Sequence, residues 1–111
     1  MSFDDKNRVK KRRDFTRVYR QGKSLSAAHT VVCWRKTKND CFRVGFTVSK
    51  KVGNAVVRNK VRRRLKEIAR LHPERFLIGT DYIIVARPAA ASCEYRELDS
   101  ELERLLRKIK P

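Results

Sequence analysis

Long apolar runs, paired cysteines, histidines and acids are all scarce in this 111-residue chain. No stretch approaches the ~20 apolar residues needed to cross a bilayer. The basic start MSFDDKNRVKKRRDF is not followed by an apolar segment, so neither a membrane span nor a secretory signal is expected. The cysteines are 3 in number, Cys33, Cys41 and Cys93, and no two have CxxC spacing. That excludes a disulfide framework and a thiolate zinc site, and suits reduced, buried thiols in a cytoplasm. Histidine is limited to His29 and His72. Paired carboxylates in an apolar context, a nucleophile elbow, HExxH and a glycine-rich phosphate loop are missing, and Gly53 alone between a strand and a helix is no P-loop. A protein-borne catalytic centre is therefore not expected. Acids are outnumbered 12 to 29 by Lys and Arg, which gives a net charge of +17 and a pI near 10.7. Such a domain repels itself, so a polyanion is the expected partner, nucleic acid ahead of an anionic membrane surface. Hydrophobic residues make up 41% of the chain, enough for one domain with a modest core.

What is abundant is organised. VSKKVGNAVVRNKVRRRLK, Val48 to Lys66, contains no acid and carries Lys50, Lys51, Arg58, Lys60, Arg62, Arg63, Arg64 and Lys66. Val57, Val61, Leu65 and Ile68 recur at i, i+4, i+8 and i+11, one face of an α-helix. On that helix Arg58, Arg62 and Lys66 stack one turn apart, with Asn59 and Arg63 beside them. Like charges at i, i+4 cost ~0.2–0.5 kcal/mol per pair. A solvated surface is the plain alternative, but solvated faces mix signs and this segment adds only Glu67. A rigid array of this kind is suited to holding phosphates.

The remaining pattern predicts an α+β domain over residues 1–111, in the order helix, strands, helix, strand, helix. Residues 1–10 read as a loosely ordered leader. A helix is expected over 12–21, ending at Gly22, with Phe15, Val18 and Tyr19 on one face. Extended pieces are expected at 23–25, 29–36 and 42–49, with a polar turn at 37–40. Asn54 caps a helix over 55–71. DYIIVAR, 81–87, suits a central strand covered on both faces, and a last helix runs over 93–108 with Tyr95, Leu98, Leu102, Leu105 and Ile109 on one side. Two further cationic regions appear. Lys6, Arg8, Lys10, Lys11, Arg12 and Arg13 lead into Phe15 and Tyr19, which can either stack unpaired bases or pack the helix on the sheet. Arg35, Arg43, Thr47 and Ser49 share a polar sheet face that is open either to solvent or to phosphate and sugar.

At these residues the chain resembles the protein subunit family of bacterial ribonuclease P. The likeness centres on RVGFTVSKKVGNAVVRNKVRRRLKE, Arg43 to Glu67, with the Arg58-Asn59 pair followed by Arg62, Arg63 and Lys66. RVKKRRDFTRVYRQGKS resembles the family's first helix and DYIIVARP its last strand. The resemblance implies a small four-stranded sheet with three helices, order α-β-β-β-α-β-α, and a left-handed βαβ crossover. It implies a subunit of a hydrolytic endoribonuclease that removes the 5′ leader of precursor tRNA, with catalysis and magnesium on a large RNA partner and none on this chain. A membrane or DNA partner is not implied. Lys50, Lys51, Arg58, Asn59, Lys60, Arg62, Arg63 and Lys66 would face the RNA subunit. Arg8, Lys11, Phe15, Arg17, Tyr19, Cys33 and Arg43 would line a cleft for the leader. Cys33 stands where relatives carry an aromatic, and alternation sends Trp34 to the opposite, core face. A different class, a structural ribosomal-type RNA-binding protein, would have an equally basic composition, and a self-sufficient nuclease is a third possibility.

Overall fold

The computed structural model describes residues 3–111. The strands β1 (Lys23–Ser26), β2 (Thr30–Lys36), β3 (Arg43–Thr47) and β4 (Thr80–Ala86) form one sheet in the order β1-β2-β4-β3. β2 pairs antiparallel with β1 and β4, while β3 and β4 are parallel neighbours. Helix α1 (Arg12–Gln21) precedes the sheet, α2 (Ala55–Leu71) connects β3 to β4, and α3 (Tyr95–Arg107) ends the fold.

Side-chain alternation along the strands divides the interior in two. Val32, Val44, Tyr82, Ile84 and Ala86 face α2 and α3, where they meet Val61, Leu65, Ile68, Leu98, Leu102 and Leu105 in the main core. Ile83, Cys33 and Val85 face the other way and meet Val18 and Phe15 of α1. β4 is covered on both faces, which explains its continuous apolar run. Trp34 packs against the main core and Cys33 against the α1 side, as alternation predicted.

Helix ends follow local chemistry. The Asn54 side chain accepts from the Val57 N–H at 3.0 Å, capping α2. α1 has Lys11 at its N-cap and no side-chain cap bond. At its other end Gly22 closes on β2 so tightly that a Cβ there would lie 2.3 Å from the Trp34 carbonyl oxygen.

The expected loose leader is corrected for residues 3–10. Asp5–Asn7 form a short 3-10 turn, and the chain then runs along the free edge of β3. The buried Asn7 side chain donates to the Phe42 carbonyl at 2.7 Å, and the Val9 N–H donates to the Val44 carbonyl at 3.1 Å. An exposed strand edge carries unsatisfied backbone groups, and this segment satisfies them. Met1 and Ser2, the rest of that leader, lie outside the described residues. Glu101 of α3, although charged, turns inward and is 4% exposed. Its carboxylate accepts from Thr30 Oγ1 at 2.7 Å and from the His29 N–H at 3.2 Å, clipping α3 to β2.

Candidate nucleic-acid interface

α2 buries Val61, Leu65 and Ile68, leaves Lys60 and Arg63 exposed, and holds Arg58, Arg62 and Lys66 partly buried. Among the described residues, none of Lys50, Lys51, Arg58, Lys60, Arg62, Arg63 and Lys66 forms an ion pair with a carboxylate. Arg62 Nη1 instead donates to Asn59 Oδ1 at 3.1 Å, a neutral contact that orients the guanidinium without neutralising it. Arg64, on the same helix, turns away and donates to the Cys93 carbonyl at 3.1 Å. Asn59, Arg62, Arg63 and Lys66 line a groove of about 430 Å³ whose other wall is Phe3, Arg8 and Phe46. Partial burial, then the Arg8 and Arg62 charges, hold the Lys66 ammonium below its ordinary pKa of 10.5. A cation disfavoured in this way gains from an anion that restores its charge.

The residues expected to form one leader cleft separate into two places. Phe15, Tyr19 and Cys33 lie together over the sheet. Phe15 sits directly on Gly45, where an added Cβ would be 2.7 Å from its Cζ, so only glycine admits the ring. Phe15 is thus half-buried and packs α1 on Ile83 and Cys33. Tyr19 remains 45% exposed, and its hydroxyl hydrogen-bonds Thr47 Oγ1 at 2.7 Å. Cys33 is half-buried, and that burial pushes its thiol pKa up, so it is a small apolar floor residue and not a nucleophile. By alternation Val31 and Val85 extend the same floor; both are partly buried, and nothing in their sequence context separates them from ordinary strand residues.

Arg8, Lys11, Arg17 and Arg43 line a separate groove of about 420 Å³ at the start of α1. Arg17 is two residues from Phe15 and so points to the other side of the helix, within 4.0 Å of Asp14. Arg43 belongs to the framework. Its guanidinium bonds Asp81 through Nη2 at 2.6 Å and Nε at 2.9 Å, and approaches Asp14 at 3.4 Å. Those carboxylates are only 2% and 9% exposed. Arg8 lines both this groove and the one against α2. The two basic regions, distant in sequence, therefore meet through Arg8 at the β3 edge.

No helix among the described residues is long and apolar enough to cross a membrane. Nor, among them, do three or more His, Cys, Asp or Glu gather where they could hold a metal. His29 and His72 instead contact carboxylates of Glu101 and Glu74, at 3.0 and 3.2 Å.

An α+β sheet flanked by a strongly cationic helix, whose one acid Glu67 pairs with Arg70, and by an open aromatic-bearing face defines a nucleic-acid-binding domain. Residues 3–110 match the family model for Ribonuclease P. The "Ribonuclease P protein component" of Alkaliphilus metalliredigens is 39% identical over 104 residues, 94% of each chain. Its namesake in Clostridioides difficile is 38% identical over 109 residues, covering 97% of this chain and 96% of that one. Among solved structures, the RNase P protein of Thermotoga maritima superposes with a TM-score of 0.85 at 31% identity, over 94% of this chain and 98% of that one. A Staphylococcus aureus RNase P protein mutant, described as having defective mRNA degradation activity, gives 0.85 at 38% identity, over 92% and 86%. The chain belongs to the ribonuclease P protein family.

Proposed function

We propose that this chain is the protein subunit of a ribonuclease P ribonucleoprotein, which processes precursor tRNA by endonucleolytic removal of the 5′ leader. The observation that carries this reading is the α2 face, where Arg58, Arg62, Arg63 and Lys66 stand beside Asn59 with no carboxylate paired to them among the described residues. That face neutralises phosphates of the RNA subunit and favours its folded form. The single-stranded leader lies across the sheet beside α1, stacked on Tyr19, while Phe15 holds the helix in place. A mature tRNA has no leader to place there, so precursor is preferred. This is a difference in binding energy and assigns no acid or base to the protein. The RNA subunit and its magnesium supply the hydrolytic chemistry.

Reconstitution with a cognate RNA subunit tests the reading. Accurate 5′ cleavage at low magnesium is expected to require both components. Cleavage by the protein alone would make it a self-sufficient nuclease. Copurification from cells with ribosomal RNA, in place of one large non-ribosomal RNA, would favour a structural ribosomal role. Within the complex, Tyr19→Ala is expected to cost about 1–3 kcal/mol of precursor binding and leave mature tRNA binding unchanged. An equal loss for both substrates would reject the leader assignment.

A further inference from the structure

A third basic groove, of about 660 Å³, lies toward the β1–β2 edge of the sheet, opposite β3. Lys23, Trp34, Arg35, Lys36, Lys108 and Lys110 line it, and the described lining contains no acid. Register explains the clustering. Lys23 sits directly across from Trp34 in the antiparallel β1–β2 pair, so both side chains share a face. Lys36 is two residues further along β2 and shares it too. The end of α3 brings Lys108 and Lys110 over that face. Arg35 points to the α1 side, where its Nε donates to Gln21 Oε1 at 2.9 Å. None of these cations has a carboxylate partner among the described residues. Five like charges gathered around one partly buried indole repel one another, and the residue types match a single-stranded RNA track, cations for phosphates and an aromatic for a base.

The groove is also reachable from the leader face. β1 is an edge strand of only four residues, with exposed Ser24 and Ser26 on the same sheet face as Cys33 and Val31. A strand leaving Tyr19 across the sheet would meet those serines before reaching the β1 edge and Lys23. We propose that this groove binds the upstream part of a long leader, a single-stranded RNA continuous with the segment on the α1 face; the proposal rests on the leader reading above.

The test uses the reconstituted complex and two precursors, one whose leader ends on the α1 face and one whose leader is long enough to round β1. The longer leader is expected to bind more tightly to the wild-type complex. Lys36→Gln/Lys108→Gln should abolish that gain, reduce the salt dependence of long-leader binding by about 1.4, at about 0.7 per phosphate on a single strand, and leave the short leader unaffected. Retention of the gain by the double variant overturns the proposal. So does an equal loss for both precursors, or weaker assembly with the RNA subunit, which would place a different RNA in the groove. Tyr19→Ala, scored on the short leader alone, reports separately on the leader reading itself.

Discussion

Two arginine-rich corners of this molecule treat the same side chain in opposite ways. Where the turn after α2 meets α3, Arg75 bonds Asp99 at 2.6 Å and Glu103 at 3.4 Å, and Arg107 also pairs with Glu103. There the charges are matched internally and join one element to another. On α2, Arg58, Arg62 and Arg63 have no carboxylate partner among the described residues, and the last turn carries a pair, Arg70 with Glu67 at 2.7 Å. The difference teaches that charge content does not reveal function. What separates a structural arginine from a binding one is whether the fold has already supplied its anion.

The largest test of that distinction is Arg43, a residue whose sequence context suggested RNA contact. Arg43→Ala strands the buried Asp81 carboxylate and is expected to cost about 3 kcal/mol of unfolding free energy, measured by urea denaturation. A stable variant with weakened RNA binding would return Arg43 to the interface. Next comes Arg75→Ala, which should lower stability by about 1–2 kcal/mol because one side chain serves two carboxylates, with RNA affinity unchanged.

Arg62→Ala is the mirror image. It should leave stability within about 0.5 kcal/mol and reduce the salt slope of RNA-subunit binding by about 0.9 if the contacted site is duplex-like. An unchanged slope would mean that Arg62 touches no phosphate.

The smallest effect, and the sharpest, is on Lys66. Its folded-state pKa lies below the ordinary 10.5, chiefly through desolvation and then through Arg8 and Arg62. The charged form therefore subtracts from stability at all pH values below the folded pKa, and that penalty fades as pH rises through the window up to 10.5. Lys66→Met should leave the Tm of the free protein unchanged or slightly raised at neutral pH and low salt, while weakening RNA binding. A fall in Tm would show that Lys66 serves the fold.

Much of the fold was legible because the periodic signals were strong. The Val57, Val61, Leu65, Ile68 stripe placed α2 at the observed bounds 55–71, and Gly22 ended α1 where expected. The N-terminal segment was not legible. Asn7 and Val9 alternate as strand residues do, but two positions in a run of charges carry no statistical weight, and the free β3 edge that binds them lies 35 residues away in the case of Asn7 and Phe42. In the candidate site, residue type marked the cations and aromatics, while contacts across the fold set how they group. The α2 face stands as one helix surface because helical spacing alone fixes it. The leader residues separated because Arg17 and Phe15 share a helix but not a side of it, and because Asp81, which claims Arg43, comes 38 residues later.

Sequence by itself determined the polyanionic partner, the cationic helix and the two faces of each strand, since charge balance and periodicities of 3.6 and 2 are local properties of the chain. Tertiary structure alone decided which cations are spent on carboxylates, that Arg8 joins the α1 and α2 regions, and that Lys23, Lys36 and Lys108 converge around Trp34. Each of those outcomes depends on side chains brought within a few ångströms across long sequence separations, and electrostatic contacts are set by that distance and not by position in the chain.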